Sequence, residues 1–163
     1  MAAPKILTAN IQDRIKQATE ICNQRGLRLT PIRSQVLILL LQAARSLKAY
    51  ELLDMMKAHH KSSQPATVYR ALEFLVQEGF VHRVDTINGW VACNNFDHED
   101  EESQDDISVI AVCSRCNKVQ ELDPTDISPF ITSLLESAGF ENRSPKTEIR
   151  SICSECRQKH IFF

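Results

Sequence analysis

Hydrophobic residues in the first half of the chain recur every three to four positions, which is the spacing of an amphipathic helix. The first such helix ends at Gly26, and a second begins at Thr30-Pro31, where an N-cap residue precedes a proline at the first helical position. A third helix is predicted over 49–58 and a fourth over 63–79. The positions expected to be buried are Ile11, Ile15, Ala18, Ile21, Cys22, Val36, Leu37, Leu40, Leu41, Leu52, Leu53, Met56, Val68, Leu72, Leu75 and Val76.

The hydrophobic period changes to two after the fourth helix. Residues 80–87 and 90–93 alternate as strands do, and Asn88-Gly89 between them is a strong signal for a hairpin with a two-residue turn. Such a turn would pair Val84 with Cys93 and place His82 diagonally beside Cys93 on one face. Short helices followed by a hairpin predict a winged helix-turn-helix, whose last helix enters the major groove of DNA.

The second half of the chain predicts a small α/β unit. Strands are expected over 107–112, 118–122 and 147–152, with a helix over 126–138. A Cys-x-x-Cys pair follows the first strand and another follows the last. A unit of this size buries little apolar surface, so bound metal and oligomerisation are expected to support it. We therefore predict an α+β protein with a winged helix over 1–93, an acidic linker over 94–106 and a zinc-binding domain over 107–163.

Charge is distributed unevenly between these regions. Residues 1–93 carry 12 Lys and Arg against 7 Asp and Glu, whereas residues 94–163 carry 7 against 14. A basic half joined to an acidic half indicates that the first half meets a polyanion. Seven of the carboxylates lie between Asp97 and Asp106, which we interpret as a solvated insertion.

The apolar runs and the N-terminus bear on the compartment of the protein. No apolar run approaches the roughly 18 residues of a membrane span, and the N-terminus lacks the features of a signal peptide. We therefore expect a cytosolic protein, without a membrane partner, whose 6 cysteines are reduced.

Four of the cysteines form two matched pairs, Cys113-x-x-Cys116 and Cys153-x-x-Cys156. Four thiolates are the ligand set of a closed, tetrahedral structural zinc site. A redox dithiol is the alternative, but such a pair opens a helix, whereas Cys113 and Cys116 lie between two strand-like runs. The spacing therefore favours structural zinc.

The fourth helix presents Thr67, Tyr69 and Arg70 away from its apolar side. Arg70 could bind guanine in a bidentate manner, and Thr67 or Tyr69 could contact thymine methyl groups or phosphate. Solvated helix faces carry similar residues, so the wing and the positive charge are what favour DNA binding. The residues expected to neutralise phosphates are Arg25, Arg28, Arg33, Lys57 and Lys61.

Several of these segments together resemble the ferric uptake regulator family, and most of all its zinc uptake regulator branch. They are Arg28–Arg33 (RLTPIR), Ala49–Leu53 (AYELL), Pro65–Leu72 (PATVYRAL), Gly79–His82 (GFVH) and the paired Cys-x-x-Cys. The resemblance extends over about residues 10–160. It implies a homodimer of winged helices that are joined by dimerisation domains. Such a dimer binds palindromic operator DNA and represses zinc uptake genes when zinc is plentiful.

The resemblance also implies roles for individual residues. Tyr50 and Arg70 match base-contacting positions, and the four paired cysteines match ligands of a structural zinc ion. His82, Cys93 and Glu121 match three ligands of a second, regulatory zinc ion, so two Zn²⁺ per chain are expected. For the fourth ligand the branch has a histidine seven residues before the first paired cysteine.

That position is Asp106 here, while His98 lies nearby, so both residues are candidates for the fourth ligand. His59, His60 and His160 have no assigned role.

Other functions make different demands on the sequence. A thiolate ligand favours zinc over ferrous iron or manganese, and the histidine-rich run of iron-sensing relatives is missing, so an iron- or peroxide-responsive regulator is the alternative within the family. A zinc hydrolase needs an open metal position beside a general base, but no HExxH-like motif occurs. No catalysis and no small organic substrate are therefore expected. A zinc-ribbon protein adaptor would not need the basic first half.

Overall fold

The computed structural model describes residues 5–43, 45–93, 96, 107–122, 127–142 and 146–159. The chain forms two compact units, residues 1–98 and 99–163, and the boundary between them falls within the predicted linker. The described residues form helices and two small sheets, as the α+β prediction requires. No helix among these residues is long and apolar enough to cross a membrane.

The first unit contains the four predicted helices. Thr30 acts as the expected N-cap of the second, because its Oγ1 accepts a hydrogen bond from the backbone N–H of Arg33 at 3.4 Å. Gly26 and Gly79 follow the first and fourth helices with φ angles of +69° and +80°, in the left-handed region that favours glycine. The helices are α1 (Lys5–Gln24), α2 (Pro31–Ala43), α3 (Ala49–His59) and α4 (Pro65–Gln77).

The core of this unit follows the helical pattern with one clear exception. Val76 was predicted to be buried, but it is 37% exposed, so this prediction is wrong. The buried side of α4 is centred near Val68 and Leu75, and at 3.6 residues per turn Val76 lies about 90° from that centre. The core includes Ala18, Cys22, Val36, Leu37, Leu39, Leu40, Leu52, Met56, Val68, Ala71, Leu72 and Leu75, with Ile15, Ile21, Leu41 and Leu53 partly buried against it.

The hairpin is present, but the predicted two-residue turn is wrong. Strands β1 (Val81–Val84) and β2 (Gly89–Ala92) pair antiparallel, with Val84 opposite Gly89 instead of Cys93. Between them Asp85–Ile87 form a 3-10 turn and Asn88 takes a left-handed φ of 48°.

A second contact explains why Gly89 belongs to the strand. The next residue, Trp90, pairs with Leu47 through two backbone hydrogen bonds of 2.8 Å. A Cβ on Gly89 would lie 3.3 Å from the carbonyl oxygen of Leu47, so glycine permits this close approach.

The second unit is built on a three-stranded sheet. Its central strand, β3 (Ser108–Cys113), pairs antiparallel with β4 (Val119–Leu122) and parallel with β5 (Lys146–Ser151). Helix α5 (Ser128–Ser137) begins where the Ser128 hydroxyl accepts a 3.0 Å hydrogen bond from the N–H of Ile107. A short helix, α6 (Ser154–Gln158), follows β5 and was not predicted, because its five residues are too few to show a helical period.

Candidate metal centres and nucleic-acid interface

The parallel pairing of β3 with β5 brings the two Cys-x-x-Cys segments together. Cys113 ends β3 opposite Ser151 at the end of β5, so the two Cys-x-x-Cys segments lie at the same end of the parallel strands. The N–H of Ser114 donates to the carbonyl of Ser151 at 2.9 Å, which fixes the two segments side by side. Sequence spacing predicted the pairs, and the strand topology explains how they meet.

The four sulfurs form a compact group. The Sγ atoms of Cys113, Cys116, Cys153 and Cys156 all lie within 4.8 Å of one another, and none is in a disulfide. The Cys116 and Cys153 sulfurs are 3.6 Å apart. Zinc–sulfur bonds of about 2.3 Å in a tetrahedron separate the sulfurs by roughly 3.8 Å, so this donor set fits a zinc ion held by four protein ligands.

Hydrogen bonds shift the pKa values of two of these thiols in opposite directions. Backbone N–H groups, that of Cys153 foremost, lower the pKa of the Cys113 thiol to about 6. Hydrogen bonds with the neighbouring thiols, first that of Cys116, raise the pKa of Cys156 to about 12. Metal binding requires deprotonated cysteine ligands, and a divalent cation would offset the repulsion between four adjacent thiolates.

A salt bridge borders this cluster. The Lys118 ammonium lies 2.8 Å from the Glu155 carboxylate, joining the turn after Cys116 to α6. The hydrogen bond and charge of Glu155 raise the pKa of Lys118, and those of Lys118 lower the pKa of Glu155. The spacing of the cysteines gave no indication of this pair.

A second set of candidate ligands lies on the wing of the first unit. An imidazole nitrogen of His82 and the Cys93 sulfur lie within 4.8 Å of each other, and Cys93 is fully buried. The observed register of the hairpin differs from the predicted one by four residues, but an even shift keeps the same side chains on the same face. His82 opposes Val91, and Cys93, two residues further on, remains its diagonal neighbour. The predicted proximity is therefore present despite the wrong turn.

The remaining predicted ligands of the regulatory site are Glu121, His98 and Asp106. Glu121 belongs to the second unit, where it is half-buried on β4 opposite Ile110. His98 and Asp106 lie outside the described residues, as does His160. His59 and His60 are exposed at the end of α3.

The helices of the first unit expose residues suited to nucleic acid. Tyr69 and Arg70 are exposed on α4, Thr67 is half-buried beside them, and Tyr50 on α3 is 63% exposed. The Tyr69 ring packs edge-to-face on Trp90 with centroids 6.0 Å apart, so α4 contacts the wing. This contact was not predicted, because it joins residues distant in sequence.

Tyr50 lies in the first turn of α3, and the capping of this helix was also not predicted. The Glu51 carboxylate accepts a hydrogen bond from the Lys48 N–H at 2.8 Å, so it satisfies a backbone donor at the N-terminus of α3. It also forms a salt bridge of 3.0 Å with Arg45. The backbone hydrogen bond from Lys48 lowers the pKa of Glu51. The Glu51 position, three residues after the N-cap, was the available signal for this arrangement.

Two arginines predicted to meet phosphates also make intramolecular contacts. The Arg33 guanidinium stacks 3.6 Å above the Phe74 ring and donates to the Arg28 carbonyl at 2.8 Å. Arg25 forms a salt bridge of 3.1 Å with Glu78. Arg33 thus ties α2 to α4. The remaining predicted phosphate-binding side chains are exposed: Arg28, Lys57 and Lys61.

Known proteins share both the sequence and the fold of this chain. The model of the ferric uptake regulator family matches residues 24–150. The zinc uptake regulation protein of Escherichia coli (strain K12) is 36% identical over 145 residues, which cover 89% of this chain and 82% of that protein.

Two solved structures are similar over nearly the whole chain. A zinc uptake regulator complexed with zinc and DNA has a TM-score of 0.82 at 34% identity, covering 93% of this chain and 97% of that one. A crystal structure of holo XcZur has a TM-score of 0.74 at 34% identity, covering 90% of this chain and 98% of that one.

Proposed function

This chain belongs to the ferric uptake regulator family, and from that premise we propose that it is a zinc-responsive repressor that binds palindromic operator DNA as a homodimer. In this proposal it acts in the cytosol and shuts off zinc uptake genes when zinc is bound. The observation that carries the proposal is the His82–Cys93 pair, a buried thiol and an imidazole within 4.8 Å on the wing of the DNA-binding unit.

Each chain would hold two zinc ions with different tasks. The ion held by the four paired cysteines is structural, because four protein ligands leave no open position. It would stabilise a unit too small to rely on its apolar core. The similarity to a zinc uptake regulator solved with zinc supports this metal.

The second ion would be regulatory, with His82 and Cys93 as ligands from the first unit and Glu121 from the second. Either His98 or Asp106 would complete the set. A thiolate ligand favours zinc over ferrous iron and manganese. An ion held by both units would bind more tightly in one relative orientation of the units, and only such a difference allows zinc to shift the protein towards a DNA-competent state.

DNA recognition would rest on α4 and the start of α3. Arg70 is exposed on the helix that a winged helix inserts into the major groove, where a guanidinium can bind guanine O6 and N7. Tyr50 would contact a base from α3. Thr67 and Tyr69 would contact thymine methyl groups or phosphate, and exposed basic residues such as Arg28 would neutralise phosphates.

The homodimer would form through the second unit. Phe130 and Leu134 on α5 are 68% and 58% exposed, and Phe140, Ile149 and Ile152 in the same unit are also exposed. So many large apolar side chains on a small unit are typical of a surface that binds another protein. Two copies of this surface would be joined by a two-fold axis, which matches a palindromic operator.

The experiment that tests this proposal is selection of DNA by the purified protein from a pool of random duplexes. One sample retains both zinc ions, and in the other mild chelation removes the more weakly bound ion. We expect an inverted repeat to be enriched only by the zinc-loaded sample. Equal failure of both samples would contradict DNA-binding repression, and enrichment with ferrous iron but not zinc would favour an iron-responsive regulator.

A further inference from the structure

A residue of α1 reaches the segment that carries Cys93. The Arg14 guanidinium donates a hydrogen bond to the carbonyl of Cys93. Its central carbon also lies 4.0 Å above the ring of Phe96. Arg14 is separated from Cys93 by 79 positions in the sequence. Local sequence patterns therefore do not indicate this contact.

The contact matters because Cys93 lies beyond the end of β2, which closes at Ala92. The paired strand residues end before Cys93, so the backbone of Cys93 is held by other contacts. Its N–H donates to the carbonyl of Phe80 at 2.9 Å, and Arg14 takes the carbonyl on the other side. Both backbone polar groups of Cys93 thus have hydrogen-bond partners outside β2.

The aromatic neighbours make this anchor more rigid. Phe96 packs edge-to-face on Phe80 with ring centroids 5.1 Å apart, and both side chains are buried. Arg14 therefore caps a small cluster in which Phe80, which follows α4, is joined to the segment after the wing. A guanidinium over an aromatic face is attracted by the ring quadrupole, and more so when it is shielded from water.

We propose that Arg14 is a positioning residue for the regulatory metal site and that α1 is part of that site's supporting structure. This inference rests on the proposed role of His82 and Cys93 as ligands. Arg14 does not ligate the metal. It holds the Cys93 backbone so that the thiol stays beside His82 before an ion arrives. A ligand that is already in place loses less conformational freedom on binding, and the site binds metal more tightly.

The test uses full-length protein with Co²⁺ as the probe for the second site while zinc stays in the four-cysteine site. Thiolate-to-cobalt charge transfer and the ligand-field bands report whether Cys93 is bound and whether the site is tetrahedral. We expect Arg14→Met to weaken Co²⁺ binding by about 10–100-fold, as loss of other supporting partners does. The ligand-field bands should also change, which simple destabilisation of the fold would not cause.

Three further variants make the result decisive. Lys16→Met removes the same charge from an exposed position of the same helix and should bind Co²⁺ like the parent. Arg14→Gln is measured in parallel, so that the conclusion does not depend on one variant folding. Arg14→Lys keeps the cation over Phe96 and one donor, so it should recover most of the lost affinity.

Two outcomes separate this inference from the proposed function. Parent-like affinity and spectra in folded Arg14→Met and Arg14→Gln would overturn the role of Arg14 and leave the ligand assignment intact. A Cys93→Ser protein that keeps the full charge-transfer band would overturn the ligand assignment itself. An equal loss in Lys16→Met would show a general charge effect and would also overturn the inference.

Discussion

Arg70 and Arg28 are both exposed arginines, yet they are assigned different tasks at the DNA surface. Arg70→Ala should weaken binding to the selected duplex by about 1–3 kcal/mol and change binding to random duplex much less, because a base contact carries the sequence information. Arg28→Ala is the matched control and should weaken binding to both duplexes alike, as loss of a phosphate contact does. Fluorescence anisotropy at fixed salt measures both. Equal losses for Arg70→Ala on the two duplexes would assign Arg70 to the backbone.

Each of the four clustered cysteines is expected to be essential for the second unit. Cys113→Ser should lose the structural zinc ion and unfold or monomerise this unit, because structural zinc contributes on the order of 10 kcal/mol to the folding of small domains. Metal analysis and sedimentation of the purified variant measure the two effects. Cys22→Ala, a buried cysteine of the first unit, should keep the zinc content of the parent. A folded, dimeric Cys113→Ser protein with unchanged zinc would contradict the assignment.

Individual residues differ in how far the sequence reveals them. The spacing of Cys113, Cys116, Cys153 and Cys156 predicts the cluster, because the chemistry of zinc requires that ligand set. Arg14 could not be found in this way. Its partners lie far along the chain, and only the packing of α1 against the wing brings them together.

The hairpin shows which part of an element local sequence can predict. Asn88-Gly89 predicted the hairpin and the face shared by His82 and Cys93, but not its register. Alternation fixes the face of each side chain, and an even shift preserves it. The register depends on the pairing of Trp90 with Leu47, a residue that precedes α3 in the sequence. The residues of the turn cannot indicate so distant a contact.

Helix α5 is expected to form part of the dimer interface. Leu134→Glu should convert the dimer to a monomer, because a carboxylate would be buried without a partner in the apolar interface. Sedimentation equilibrium measures the change. Glu136→Lys alters charge on another side of the same helix and should leave the dimer intact. A dimeric Leu134→Glu protein would show that the two chains meet through a different surface.

In the whole molecule, the two halves of the chain differ in charge. The basic first half contains the helices that expose Tyr50 and Arg70, and the acidic second half contains the four-cysteine cluster. Composition alone predicted that the first half meets a polyanion. In our proposal, the arrangement of the two halves in the zinc-bound state depends on the ion that they share. Local sequence patterns do not predict such an arrangement.

In our proposal, zinc controls DNA binding through Cys93, separately from the zinc that maintains the fold. This control is tested by the zinc dependence of binding to the selected duplex, measured for Cys93→Ser and for the parent protein at equal salt. We predict that Cys93→Ser keeps one zinc ion per chain, remains a folded dimer and no longer responds to added zinc, because the shared ion loses its thiolate ligand. A Cys93→Ser protein that still binds this duplex only when zinc is added would show that zinc does not act through Cys93.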